Sequence, residues 1–343
     1  MEYRRLGKTG LNVSVLGLGG VFISSLGAER GEGVRAVRRA LELGINYIDT
    51  ARSYGDSESV IGEALRGMKS RPIVSTKIGG WPMPFNPKDL SALRRSVEES
   101  MKQLGAERLD MLMVHEPDRP GVFDWWEGDL GSRGPVWEVL ADLRERGTVN
   151  WIGAAGTTAY ELARVLGAGR FDVVLTAFNY SLLWREAAIS LLPEAYRRGI
   201  GVIVGTPLQQ GALAERFDEL LESSAWLSPP RREQYRRLYA LLDEVGMPIH
   251  EAALRWVLSD PRVGTVIVGA RSVREVEANV AAVEAGPLEE ELLTRLDEIA
   301  ELVPFRPFDE PGGAFGLPFG RQYRGPGALF GTGAAGGITG QEA

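Results

Sequence analysis

Four side chains suited to proton transfer stand at or just past the ends of three successive apolar runs. In "GINYIDTARSYGDSESVIGEAL", Gly44 to Leu65, Asp49 ends one run and Tyr54 lies in the loop beyond it. Lys77 ends "PIVSTK", and His115 ends "LDMLMVH". Together a carboxylate, a phenol, an ammonium and an imidazole suit proton delivery to a developing alkoxide. A free phenol, with a pKa near ~10, is a poor acid at neutral pH. A neighbouring ammonium stabilises the phenolate and lowers that value. A buried ammonium needs a carboxylate partner, which Asp49 supplies. The imidazole can donate a hydrogen bond to a carbonyl oxygen. None of the four is a hydride donor, so a cofactor must carry the electrons.

Singly, each residue has a plainer reading. Asp49 reads as a helix cap, Tyr54 as a half-buried rim residue and His115 as a satisfied strand-end histidine. Their conjunction at three strand ends overturns those readings. The chain also holds only five lysines against thirty-four arginines. A lysine kept at a strand end can titrate or hold a phenolate, which arginine does less well. His250, in "MPIHEAALRW", reads as a structural helix-start residue. Two distant histidines and no cysteine give no metal-binding spacing, so no metal is expected.

The elements that position these groups follow a rhythm. A short hairpin turns through Gly7 to Gly10. Apolar runs then alternate with amphipathic stretches. The strand candidates are "VSVLGL", "INYID", "PIVSTK", "LDMLMVH", "WIGAA", "VVLTAF", "IGVIVG" and "TVIVG". The spacing predicts helices over 33–43, 58–66, 87–104, 135–146, 158–166, 186–198, 249–258, 272–282 and 289–302, with Asn86-Pro87 and Ser272 as starts. Near-continuous Val/Ile/Leu strands imply burial on both faces and a parallel sheet. Eight strand–helix units predict an α/β chain folded as a (β/α)₈ TIM barrel over residues 1–303. A doubly wound sheet would favour a G-x-G-x-x-G turn, and "GLGG" is not one. From Pro304 to Ala343 the chain is rich in Gly, Pro and Phe and reads as a loop and tail.

Composition narrows the partners. The 343 residues carry a net charge of −7, against a nucleic-acid partner. The absence of cysteine excludes a disulfide scaffold and a thiol nucleophile. No run approaches the ~18 apolar residues of a membrane span. Arg4, Arg5 and Lys8 precede an apolar stretch, but Gly17, Gly19, Gly20 and Gly27 within it suit a strand and loop rather than a secretory leader. A cytoplasmic protein is expected, with its oligomeric state open.

The Gly44–Leu65 segment, with "STK" and "LMVHEPD" after it, resembles the aldo-keto reductases. "YRRLGKTGLNVSVLGLGG", "TPLQQGAL" and "TVIVGARSVREVEANVAA" match that family in the expected order, from Glu2 to about Leu302. The resemblance implies a nicotinamide-dependent interconversion of carbonyl and alcohol, with Asp49, Tyr54, Lys77 and His115 catalytic and Tyr54 the general acid. It implies cofactor contacts from Gly20, Asp49, Thr206, Pro207, Leu208, Gly211, Gly269, Arg271, Ser272 and Asn279. Arg271 and Ser272 suit a 2′-phosphate, Asn279 the adenine, and Glu275 opposes the phosphate. The expected preference is NADP(H), with NAD(H) usable. Where many members read "GVSN", holding the carboxamide with Ser and Asn, this chain has Ala155 and Gly156. Ala177 replaces the usual Gln, and Gly205 a stacking Tyr. These departures are similar to the branch of aldose and galactose 1-dehydrogenases, so a small carbonyl or sugar is the expected substrate. Phe22 and Trp81 are pocket-lining candidates. Trp125 and Trp126, among Asp124, Glu127 and Asp129, either stack on a sugar or pack an acidic loop. Some family barrels are regulatory subunits of ion channels, which gives the rival expectation.

Overall fold

The computed structural model describes residues 1–80, 84–119, 123–168, 170–223 and 227–306. Strands β1 (Tyr3–Arg5) and β2 (Asn12–Ser14) form the antiparallel hairpin. Eight parallel strands follow. They are β3 (Leu16–Gly19), β4 (Tyr47–Asp49), β5 (Ile73–Ile78), β6 (Leu109–His115), β7 (Val149–Gly156), β8 (Val173–Ala177), β9 (Gly201–Gly205) and β10 (Thr265–Gly269). β10 pairs with both β3 and β9, so the barrel closes.

The helices are α1 (Arg30–Glu42), α2 (Ser57–Leu65), α3 (Leu90–Leu104), α4 (Pro135–Glu145), α5 (Ala159–Gly167), α6 (Glu186–Ile189), α7 (Leu191–Arg197), α8 (Asp218–Leu221), α9 (Pro229–Val245), α10 (Ile249–Leu258), α11 (Val273–Glu284) and α12 (Glu290–Glu301). Alternate strand residues separate two apolar regions, as a closed sheet requires. Tyr47, Met111, Met113, Ala155, Leu175, Ile203 and Ile267 form one cluster. Ile48, Leu112, Val114, Ala154 and Val174 join the larger cluster with the helices. The hairpin joins the smaller cluster through buried Leu6, and a Cβ at Gly201 would stand 2.7 Å from its Cγ.

Several elements differ from the expectation, the short α8 among them. "VSVLGL" divides at Val15, half in the hairpin and half in the barrel. The helix expected from Pro87 starts at Leu90, because Asp89 Oδ1 accepts the N–H groups of Ser91 and Ala92 at 2.8 and 3.2 Å. The stretch 186–198 breaks at Ser190 into α6 and α7; Pro193 sits in the first turn of the restarted helix, where its missing N–H costs least. Helix α9 was not anticipated. Its buried face mixes Tyr235, Leu238 and Leu242 with Arg231 and Gln234, which blurs the apolar period. Those two polar side chains hold the chain as it leaves α12: Arg231 donates to the carbonyls of Val303 and Phe305, and Gln234 to that of Ile299 at 3.0 Å. Of the expected 304–343 loop and tail, only Pro304 to Arg306 falls within the described residues. No helix among the described residues is long and apolar enough to cross a membrane.

Candidate active site

Strand register brings the four expected groups to one rim. Asp49 pairs with Ser75 on β5, Lys77 with Met113 on β6, and His115 with Ala155 on β7. Lys77 and Asp49 are 1% and 2% exposed, with Lys77 Nζ 2.6 Å from Asp49 Oδ2. Nζ also donates to the Thr50 carbonyl at 2.8 Å. The same ammonium lies 4.7 Å from the centroid of the Tyr54 ring. The His115 imidazole meets that ring edge-on, 6.0 Å between centroids.

A supporting layer, not singled out from the sequence, fixes this geometry. Ser75 Oγ donates to Asp49 Oδ1 at 2.7 Å and accepts from Tyr47 OH at 2.7 Å. Glu58, 3% exposed, accepts from Thr76 Oγ1 at 2.6 Å and from Arg52 at 3.0 Å, pinning the loop between Asp49 and Tyr54. Gly20 N–H donates to the Asp49 carbonyl at 2.7 Å, tying the first rim loop to the same strand end.

The electrostatics correct one expectation. Burial pushes the Tyr54 phenol above its ordinary value, and the Lys77 ammonium only partly offsets it. Burial opposes the Lys77 charge, but Asp49 and Tyr54 override it and hold the ammonium above its usual value. Burial, then the Lys77 charge, lower His115 to about 3. At neutral pH the rim therefore holds a protonated phenol, a charged ammonium and a neutral imidazole.

Around this centre the backbone is bent sharply. Glu116, Phe178 and Thr206, each the first residue past a strand, have φ of 49°, 67° and 58°. Gln209 and Gln210 are left-handed too, at 49° and 56°. Strain of this kind collects at ligand sites. It shapes the turn carrying Thr206, Pro207, Leu208 and Gly211. Buried Gln209 anchors the turn by donating to Ser181 Oγ at 2.7 Å. A further buried acid lies in "HEPDRPG". Asp118, 2% exposed, accepts the N–H groups of Thr157 and Thr158 at 2.8 and 2.5 Å. Burial pushes its carboxyl up to about 6.

The start of α11 differs from a bare anion site. Val273 N–H donates to Glu32 Oε1 at 3.0 Å, and Arg271 N–H to Glu275 Oε2 at 2.7 Å. The Ser272 hydroxyl caps the helix by accepting from Glu275 N–H at 3.2 Å. Two carboxylates thus occupy backbone donors at this helix start, beside the Arg271 and Ser272 side chains expected to meet a 2′-phosphate. Arg271 lays its guanidinium 5.0 Å from the Phe22 ring centroid. That ring also covers Gly269, where a Cβ would stand 2.3 Å from it. Phe22 therefore sits with Gly269 and Arg271, on the expected cofactor side of the rim. Asn279 is half-buried on α11 near Ala270. A nicotinamide nucleotide fits this rim: a strained turn on one side, a helix start on the other and, among the described residues, two buried polar atoms with no hydrogen-bond partner, His115 Nδ1 and Asp118 Oδ1.

The two loop tryptophans do not offer sugar-stacking faces. Trp125 is 0% exposed, its N–H donating to the His115 carbonyl at 3.0 Å. Trp126 donates to the Pro117 carbonyl at 2.8 Å and stacks on Trp137. Both brace the loop after His115 from beneath, which corrects their expected contact with substrate. Trp125→Ala should cost about 3–5 kcal/mol of stability, read by denaturant unfolding. It should raise KM for a sugar no more than for a small aldehyde; a rise confined to sugars would restore the stacking role. Trp81 lies outside the described residues. No group of three or more potential metal ligands occurs among the described residues.

This barrel and rim have known counterparts. Residues 15–301 match the model of the aldo/keto reductase family. The chain belongs to the aldo/keto reductase family. It is an oxidoreductase of that family. It is 32% identical to L-galactose dehydrogenase of Arabidopsis thaliana, over 88% of this chain and 95% of that protein. A putative voltage-gated potassium channel subunit beta of Schizosaccharomyces pombe is 28% identical, over 89% of this chain and 94% of that one. An aldo-keto reductase from Bacillus halodurans, solved in its holo form, superposes with a TM-score of 0.70 at 27% identity, covering 89% of this chain and 98% of that one. The family bears out the expected fold and activity class.

Proposed function

We propose that this aldo-keto reductase interconverts a sugar or small aldehyde and its redox partner, using a nicotinamide nucleotide and the residues Asp49, Tyr54, Lys77 and His115. One observation carries the reading: a dry Lys77–Asp49 ion pair beneath the Tyr54 ring. Burying two charges is costly unless they serve a partner. Here the partner is a phenol that must become a phenolate.

A bound nicotinamide supplies the hydride in reduction and takes it up in oxidation. In reduction, Tyr54 gives its hydroxyl proton to the carbonyl oxygen as the carbon–hydrogen bond forms. The product is an alcohol, and the phenolate left behind faces the Lys77 ammonium. Solvent returns the proton. The neutral His115 imidazole donates to the same carbonyl oxygen and orients it. Oxidation runs these steps in reverse, with the Tyr54 phenolate as base. The likeness to L-galactose dehydrogenase favours an aldose oxidised at its anomeric carbon.

The cofactor preference inferred here is NAD(H), the reverse of the sequence expectation. Beside a bound nucleotide, the Glu32 and Glu275 carboxylates at the start of α11 would repel a 2′-phosphate and would accept hydrogen bonds from free ribose hydroxyls. Replacing both with Gln should improve NADPH binding relative to NADH by about ten-fold, the worth of one charge-assisted contact. Fluorescence titration of both nucleotides reads this. A wild type that already prefers NADPH, with an unchanged ratio in the variant, would sink the selectivity argument.

The function itself is tested by a panel of aldoses and aldehydes assayed in both directions by nicotinamide absorbance. The named channel subunits among the relatives support a second reading, a nicotinamide-binding regulatory barrel with little turnover. Sustained turnover on any panel member excludes it. Tight nucleotide binding with no turnover on the whole panel favours it.

A further inference from the structure

Asp118 holds a buried carboxylate oxygen that no described residue satisfies. The residue is three positions past His115, in the loop after β6. Its Oδ2 accepts the N–H groups of Thr157 and Thr158 at the start of α5. Its Oδ1 is buried and has no hydrogen-bond partner among the described residues. A buried carboxylate oxygen left unpaired is costly, because water has been removed and nothing replaces it. Retaining one is reasonable where a ligand supplies the donor.

The neighbouring residue makes room for it. Gly156 ends β7, and a Cβ there would stand 2.3 Å from Asp118 Oδ1 and 2.6 Å from Oδ2. The carboxylate thus fills the volume a side chain at 156 would take. Ala155, beside it, pairs with His115 across β6 and β7. This sector of the rim therefore has no polar side chain of its own from β7, and Asp118 from the next loop stands in.

The donor follows from the chemistry proposed above. A nicotinamide ring must bring its hydride-carrying carbon against a carbonyl held by Tyr54 and His115. The ring bears one hydrogen-bond donor, the amine of its carboxamide, on the carbon adjacent to the reacting one. We propose that Asp118 Oδ1 accepts a hydrogen bond from that amine and so fixes which face of the ring meets the substrate. Asp118 is then a positioning residue for the cofactor, and this rests on the nicotinamide reading. A sugar hydroxyl is the competing donor of the same chemistry.

The test measures binding without substrate, by fluorescence or calorimetry. NAD is compared with its 3-acetylpyridine analogue, in which a methyl replaces the amine. Wild type should bind NAD about ten-fold more tightly, as expected for one hydrogen bond to a charged acceptor. Asp118→Ala should bind the two alike, and Asp118→Asn should lose most of the preference while keeping a polar group against Thr157 and Thr158. The wild-type comparison stands even if a variant fails to fold. Equal binding of the two nucleotides by wild type, or an unchanged ratio in a folded variant, overturns the proposal. So does a variant with unchanged nucleotide constants but a raised sugar KM, which would assign the oxygen to substrate. Failure of wild type to bind any nicotinamide nucleotide would instead remove the underlying functional reading.

Discussion

Tyr54→Phe will bind its nicotinamide nucleotide as wild type does and turn over about 10²–10⁴-fold more slowly, the usual contribution of general acid–base catalysis. The substitution removes one oxygen and keeps the ring. The edge contact with His115 and the face offered to the Lys77 ammonium both survive. The loss should therefore fall on kcat, with the nucleotide dissociation constant unchanged. Steady-state kinetics beside fluorescence titration separates the two. Full activity in this variant would remove Tyr54 from the chemistry.

Lys77→Met should damage both stability and rate, by separable routes. It leaves the Asp49 carboxylate 2% exposed with Ser75 Oγ as its remaining side-chain partner. Breaking a buried pair from one side typically costs about 3–5 kcal/mol. Adding Asp49→Asn should recover much of that stability and none of the activity. The rate falls because the ammonium is the main influence opposing burial on the phenol. Without it the Tyr54 value rises further. Oxidation needs the phenolate, so its pH–rate profile should shift to higher pH, while the phenol needed for reduction persists. His115, lowered to about 3, contributes no inflection across the neutral range. An unchanged profile in Lys77→Met, or a single variant as stable as wild type, would contradict the coupling of these three groups.

The parts that the sequence made legible were those with a period or a rare residue type. β6 and β10 coincide with "LDMLMVH" and "TVIVG", because near-continuous apolar runs bounded by polar ends are unambiguous. Lys77 and His115 stood out as uncommon types at such ends. What stayed hidden depends on contacts through space. Glu58 and Thr76 meet across α2 and β5, and Glu32 reaches from α1 to the first turn of α11. In a linear reading Glu32 is one more solvated helix glutamate. Asp118 looked like a loop acid, and only the glycine at 156 pressed against it gives it a role. The tryptophans were ambiguous for the opposite reason: a large ring serves packing and sugar stacking equally well until its burial is known. The sign of the Tyr54 shift likewise needed the balance between desolvation and Lys77, which residue types alone do not set.

Isotope tracing reads hydride transfer at this rim without relying on any variant. Reduced nicotinamide nucleotide carrying deuterium at both positions of the transferring carbon is incubated with wild type and an accepted aldehyde, and the alcohol is analysed by mass spectrometry. One deuterium should appear on the former carbonyl carbon, with the rate of label transfer lost to the same extent as turnover in Tyr54→Phe. Alcohol formed without label, or label transfer undiminished in Tyr54→Phe, would contradict it.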